Sequence, residues 1–301
     1  MVNQFNKIIK QFILCVKSRM KIVIMIYSWL SVIGLCITFR GSPPPILLLK
    51  LFFAMTGMAL GVYLWNDICD FKQDMIGKEL GDQSPSGRPL VRGLVSKKRA
   101  GVFSALLVIS GLTASAMINL EVLLIQLAFL VLGLFYSTEP IRLKRFFLWK
   151  QVTVGLGGAI ACLSAGLAAG TITIHLLYLT GLYVLFTIGV NPIGDLRDID
   201  SDLASGVKTI PIVWGPDFAI RLALTTFTAC AATTWIGFYR LGFNIALPII
   251  GTLAFIAFAY VVYPLLGHLS DLEYLVDRLY SRGLPLFFIL QIAVLLGSLS
   301  L

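Results

Sequence analysis

Nine apolar runs, each long enough to cross a hydrocarbon layer, constrain this chain more than any other feature. A transmembrane helix needs about 20 consecutive apolar residues, and shorter or charged runs do not suffice. The runs fall at 20–39, 46–65, 100–119, 121–137, 151–169, 173–193, 217–238, 243–266 and 284–301. Charged residues make up 13% of the chain and hydrophobic ones 58%, against roughly 25% charged in soluble domains. The expected fold is therefore all-α, a polytopic membrane protein of about nine transmembrane helices. Only Asn119 and Glu121 mark the turn between the third and fourth runs.

Lysine and arginine test this division, because they accumulate in cytoplasmic connections. Every second connection is basic: all 24 except Arg40, Lys50 and Arg240 fall on the side that holds the N-terminus. The predicted topology has a cytoplasmic N-terminus and a C-terminus on the opposite side. Residues 1–19 form a basic segment with Phe5, Ile8, Ile9, Phe12 and Ile13 at helical spacing, an amphipathic lead-in suited to a membrane surface. Residues 20–301 form the single transmembrane domain. The net charge of +9 is dispersed over several loops with no nucleic-acid module around it, which favours anionic lipid as the partner and excludes nucleic acid. The five cysteines are odd in number and scattered, and His175 and His268 are isolated. Neither a disulfide framework nor a zinc site follows.

Against this background two acidic sets stand out. Asp67, Asp70 and Asp74 follow the second apolar run, and Asp195, Asp198 and Asp202 follow the sixth, four helices later in the same orientation. Steps of three and four residues place each set on one helical face. Each can offer a line of hard oxygen ligands to Mg²⁺, and two facing lines would hold a diphosphate through metal bridges. The equivalent positions of the two sets indicate a parallel internal repeat with a site at the interface of its halves. Asp200 falls about 200° around the helix from Asp198 and is expected to face solvent. Asn66 can add a neutral oxygen ligand or cap a helix end.

Breaking a carbon–oxygen bond to diphosphate leaves negative charge that cations must stabilise. Arg88 and Arg92 follow the first set, Lys208 follows the second, and Arg142, Lys144 and Arg145 lie between. Each can also serve only as an orientation charge. Tyr63, Trp65, Phe71 and Tyr136 lie near the cytoplasmic helix ends, where they can shield an allylic cation or form an interfacial belt.

The segments Asn66-Asp67-Ile68-Cys69-Asp70-Phe71-Lys72-Gln73-Asp74 and Asp195-Leu196-Arg197-Asp198-Ile199-Asp200-Ser201-Asp202 read N-D-x-x-D-x-x-x-D and D-x-x-D-x-x-x-D. Together they resemble the paired motifs of the UbiA superfamily of intramembrane prenyltransferases. The likeness covers roughly 20–300, with support from Arg88–Ser96, Tyr136–Arg145 and Gly206–Pro211. It implies a bundle around a central cavity, in which two Mg²⁺ bridge an isoprenyl diphosphate and an allylic cation is passed to an aromatic or quinone-precursor acceptor. By that pattern Asn66, Asp67, Asp70, Asp74, Asp195, Asp198 and Asp202 are the metal ligands. Asp67, Asp70, Asp198, Asp202 and Lys208 then carry catalysis, and Asn66, Arg88, Tyr136, Lys144 and Lys208 contact substrate. Arg88 lies fourteen positions after Asp74, twice the usual interval. That loop is similar to the menaquinone-forming branch, whereas Tyr136–Arg145 is similar to branches making chlorophyll, tocopherol or archaeal lipids. A membrane terpene cyclase, which quenches the cation internally, fits the same motifs. A divalent-cation transporter is disfavoured because both acidic sets lie at one face.

Overall fold

A computed structural model describes residues 2–80, 87–269 and 271–299. No strand occurs among them, and nine helical stretches are long and apolar enough to cross a membrane. The first runs from Gln4 to Thr38, as α1 (Val2–Val23), a π-helical turn at Ile24–Ser28 and α2 (Trp29–Thr38). No glycine or proline interrupts residues 2–33, so no break marks the boundary at residue 19. Along α1, Phe5, Ile8, Ile9 and Ile13 are exposed while Gln11 and Cys15 are buried.

Pro45 opens α3 (Pro45–Cys69), where its missing N–H is no loss. Asp70 joins α3 to α4 (Phe71–Glu79) with helical dihedrals, φ −87° and ψ −4°. Next come α5 (Lys97–Ala116) and α6 (Leu120–Ser137). Asn119 ends the turn between them as the sequence indicates: its Oδ1 accepts from the Val122 N–H at 2.8 Å, and its amide donates to the Leu167 carbonyl at 2.8 Å. After a 3₁₀ turn at Leu143–Arg145 follow α7 (Trp149–Ala168) and α8 (Ile174–Gly189). Pro192 and a 3₁₀ segment at Asn191–Asp198 then lead into α9 (Ile199–Ala204). The remaining helices are α10 (Ile210–Trp214), α11 (Pro216–Leu241), α12 (Ala246–Val262), α13 (Leu272–Asp277) and α14 (Leu284–Ser298).

Because lipid is as apolar as leucine, helices in a bilayer associate through close approach and internal hydrogen bonds. The α3–α5 pair shows both. The Ser104 hydroxyl donates to the Gly61 carbonyl at 2.7 Å, and a Cβ placed on Gly111 would lie 2.6 Å from the Met58 backbone nitrogen. Lipid-facing side chains such as Val102, Leu106, Leu127 and Val131 cover the outer faces of α5 and α6.

Gly111→Val should force α3 and α5 apart and cost about 1–3 kcal/mol, seen as a lower melting temperature in detergent. By contrast, a Cβ at Gly101 meets its nearest neighbour only at 3.9 Å, so Gly101→Ala should keep or raise the melting temperature through helix propensity. Equal effects of the two substitutions would refute the close-packing account.

Candidate active site

At one end of the bundle a cavity of about 340 Å³ opens among α1, α3, α4, α6, α7 and α9. Asp70, Asp74, Asp198 and Asp202 line it with Arg19, Arg88, Lys144, Lys150 and Arg197. Its apolar part is formed by Tyr27, Val62, Tyr63, Phe129 and Tyr136. Tyr27 meets Phe129 edge to face at a centroid distance of 5.3 Å.

The two acidic sets reach this cavity by different backbone routes. The first rides the continuous α3–α4 path, so its steps of three and four keep one face. In the second, Asp195 and Asp198 lie in the 3₁₀ segment, where residues three apart eclipse. Asp202 follows four residues later in α9, where a step of four returns to the same side. Asp200 is exposed, as its angular offset requires.

Asp67, Asp70, Asp74, Asp195 and Asp202 are all buried, and a buried carboxylate must be paired. Arg19 grips Asp67 with two nitrogens, Nε at 3.0 Å and Nη2 on the other oxygen. Arg88 pairs with Asp74 and stands 3.7 Å from Asp67. Asp70 receives both Lys144 and Arg142, the latter at 3.1 Å. Arg142 takes a left-handed backbone with φ 36°, a costly state for a non-glycine residue, which occurs where the surroundings fix it. In the second set Lys150 lies 2.7 Å from Asp195 and 3.8 Å from Asp202, and Gln151 donates to Asp195 at 3.2 Å. Asp198 is gripped by its neighbour Arg197 at 2.7 and 2.8 Å. Gln73 joins the sets, donating its amide to Asp202 at 3.0 Å, and the Ser137 hydroxyl donates to Asn66 Oδ1 at 2.8 Å.

Outside the spans, burial and the neighbouring Asp70 charge push the Asp74 carboxyl up to about 6, against the opposing pull of Arg88. Burial lowers Lys144, more than the adjacent Asp70 raises it.

Among the described residues no three carboxylate, cysteine or histidine groups converge at coordination distance. Instead, arginines and lysines balance the carboxylates. The donor set nevertheless suits a hard cation, being carboxylate and amide oxygen throughout. Asp202 Oδ2 is also buried without a hydrogen-bond partner, an acceptor left open.

Asn66, Asp70, Asp74, Asp198, Asp202, Arg88, Tyr136 and Lys144 line this cavity, and Asp67 and Asp195 lie behind its wall, paired with the lining residues Arg19 and Lys150. Lys208 does neither. It is exposed and outside the cavity lining, because Gly206 ends α9 in a left-handed turn with φ 69°. The Val207 N–H returns to the Asp202 carbonyl at 2.9 Å, the reversal of a Schellman-type helix end, and Val207 rather than Lys208 faces the cavity. The position assigned to Lys208 is held by Lys150. Arg19, Arg142, Lys150, Gln73 and Gln151 belong to the site without having been assigned to it. One signal was available for Lys150: a cation in the first turn of α7 opposes the helix dipole and needs a compensating anion.

A helical membrane bundle that gathers paired carboxylates and cations over an aromatic-walled cavity is built to process an anion carrying a hydrocarbon tail. Residues 27–271 match the UbiA prenyltransferase family; the chain belongs to that family and is an intramembrane prenyltransferase. It is 28% identical over 203 residues to digeranylgeranylglyceryl phosphate synthase of Sulfurisphaera tokodaii, covering 67% of this chain and 69% of that one. It is likewise 28% identical to 4-hydroxybenzoate octaprenyltransferase of Pseudomonas fluorescens over 71% of this chain and 70% of the other. Its fold is similar to that of a UbiA homolog from Archaeoglobus fulgidus bound to GPP and Mg²⁺, with a TM-score of 0.69 at 16% identity, covering 96% of this chain and all (100%) of the other.

Removing Arg19 leaves Asp67, 1% exposed, short of its bidentate partner. Arg19→Ala should cost about 3 kcal/mol, and Arg19→Ala with Asp67→Asn should recover most of the lost melting temperature. Additive losses in the double variant would show that the pair is not coupled.

Proposed function

We propose that this protein ionises an isoprenyl diphosphate held by Mg²⁺ at the polar rim of the cavity and transfers the prenyl group to an aromatic or quinone-precursor acceptor. One observation carries the reading: four aspartates and five cations line a single cavity whose apolar part is faced by tyrosine and phenylalanine, with Asp67, Asp195 and Arg142 each paired to a lining residue. Their charges nearly cancel, so an incoming diphosphate needs additional positive charge, which two divalent ions supply. Asp67, Asp70, Asp74, Asp195, Asp198 and Asp202, with Asn66, are the oxygens that would hold them. Mg²⁺, when bound, withdraws charge from the leaving diphosphate.

The protein's own part is positional. Arg88 and Lys144, with Arg19 and Lys150, supply donors for the non-bridging oxygens as negative charge grows. The faces of Tyr27, Tyr63, Phe129 and Tyr136 can stabilise an allylic cation, and an apolar lining disfavours water beside it. A flat, electron-rich acceptor fits against the same rings. The basic connections assign this end of the bundle, and the N-terminus, to the cytoplasm, with the C-terminus opposite. We assign the reaction to the transmembrane domain at 20–301 together with Arg19, the last residue of the basic lead-in at 1–19.

The test is purified protein with Mg²⁺ and geranyl, farnesyl or geranylgeranyl diphosphate, with and without aromatic acceptors and a prenylated glyceryl phosphate, followed by mass spectrometry. Prenylated aromatic product supports the reading. Product formed without acceptor would make the protein a cyclase, and transfer only to the glyceryl phosphate would overturn the acceptor class. Asp70→Ala and Asp198→Ala should abolish turnover; Asp198→Ala should keep the melting temperature, whereas Asp70→Ala should lower it, because Arg142 and Lys144 lose the anion they share. Lys150→Ala should lower it by at least about a hundredfold, whereas Lys208→Ala should stay within about threefold of wild type.

Mg²⁺ binding should also depend on pH. Asp74 titrates at about 6 without metal, so below that pH a proton must be displaced. Affinity measured by calorimetry should fall about tenfold per pH unit below about pH 6 and level off above it. A flat profile down to about pH 5 would exclude Asp74 as a ligand.

A further inference from the structure

Beside the reaction cavity lies a second, apolar groove of about 180 Å³ between α3, α5 and α6, bounded by Gly61, Trp65, Ser104, Val108, Leu130 and Leu134. It holds no charged group, and the hydroxyl of Ser104 is already committed to the Gly61 carbonyl at 2.7 Å. Two residues, Val62 and Gly133, line both spaces. The partition between them is therefore one side chain thick.

At that point α3 and α6 are in close contact: a Cβ on Gly133 would lie 2.4 Å from Val62 Cγ1. Above it, Trp65 Nε1 donates to Thr138 Oγ1 at 2.9 Å, and Ser137 bonds Asn66, so the two helices are fastened at the polar rim. Val62 lies five residues before Asp67, about 7.5 Å further along the helix. An isoprenyl chain whose diphosphate sits at the rim passes this level within its first isoprene units. With the partition intact, its later units stay in the 340 Å³ cavity, which is at the small end of ligand sites.

We propose that Val62, pressed against Gly133, is a chain-length determinant, and that the groove behind it accepts the distal isoprene units of the prenyl chain once the partition is thinned. The inference rests on the prenyl-transfer reading above. The groove's occupant is the substrate's own hydrocarbon tail, because only the two shared residues separate the groove from the reaction cavity and its lining carries no charge.

The experiment compares kcat/KM for geranylgeranyl and geranyl diphosphate, using whichever acceptor of the panel supports turnover. Val62→Ala should raise the long-to-short ratio at least about tenfold over wild type, the discrimination expected when a hydrophobic pocket gains room for a few methylenes. Adding Gly133→Ala restores one of the two lost carbons on the opposite wall and should return the ratio part of the way toward wild type. Ala105→Phe, which fills the groove from α5, should do the same in the Val62→Ala background. Val62→Ser removes the same methyl bulk and replaces the alanine variant if that variant does not fold. An unchanged ratio in a folded variant, or an equal fall for both chain lengths, would show that Val62 only supports packing or that bilayer lipid fills the groove. Either result overturns the proposal. Failure of wild type to turn over any prenyl diphosphate removes the reaction itself, and the partition's role with it.

Discussion

An aspartate in a membrane-embedded bundle costs several kcal/mol unless a cation meets it, and this structure is organised around meeting that cost six times. The cations come from scattered parts of the chain. Arg19 descends from α1, Arg88 comes from the connection after α4, Lys144 and Arg142 from the 3₁₀ turn, and Lys150 from the first turn of α7. Each pair therefore also fixes one helix end against another. The site and the packing of the polar end are the same set of contacts, so a ligand that competes for the carboxylates acts on the helix ends as well.

Both the spans and the acidic sets were legible in the sequence because each rests on a local rule, apolar length in one case and helical spacing in the other. The turn that Asn119 and Glu121 mark between two long apolar runs is legible for the same reason, since the capping bond of Asn119 is local too. Arg88, Arg142 and Lys144 are legible as candidate cations close to the motifs, whereas Arg19 and Lys150 are not, for the opposite reason. Arg19 pairs with a residue 48 positions away and Lys150 with one 45 positions away, and the positive-inside rule already accounts for both. Lys208 misled because proximity in sequence stood in for proximity in space, and the left-handed turn at Gly206 reverses the chain between them. Gln73 went unremarked although its place between Asp70 and Asp74 puts it next to the acidic face, where it reaches Asp202.

The two halves of the site are alike in motif and unlike in construction. In the first, every carboxylate meets an arginine: Asp67 has Arg19, Asp74 has Arg88, and Asp70 has Arg142 with Lys144 beside it. In the second, one lysine spans Asp195 and Asp202, while Asp198 is held by the residue next to it. The buried carboxylate oxygen that accepts no hydrogen bond belongs to this second half, Asp202 Oδ2, with Lys150 3.8 Å away. A planar guanidinium with two parallel bonds, as Arg19 makes to Asp67 and Arg197 to Asp198, is harder to displace than a single ammonium shared between two acids. Asp195 and Asp202, which share Lys150, are thus the easier entry for a cation.

That asymmetry also bears on how substrate and metal depend on each other. With the rim near neutrality, a divalent ion alone must compete with arginines and lysines for the carboxylates, and a diphosphate alone must compete with carboxylates for the same arginines and lysines. Under the proposed reaction, each would take the partners that the other releases, so the ion pairs would be exchanged rather than lost. Binding of the two would then be mutually reinforcing, and by linkage the factor by which metal tightens diphosphate would equal the factor by which diphosphate tightens metal. A rim built with excess cations would bind diphosphate without metal but would hold the departing diphosphate just as firmly after the bond had broken. A balanced rim would release it more readily, because its carboxylates compete for the same arginines and lysines.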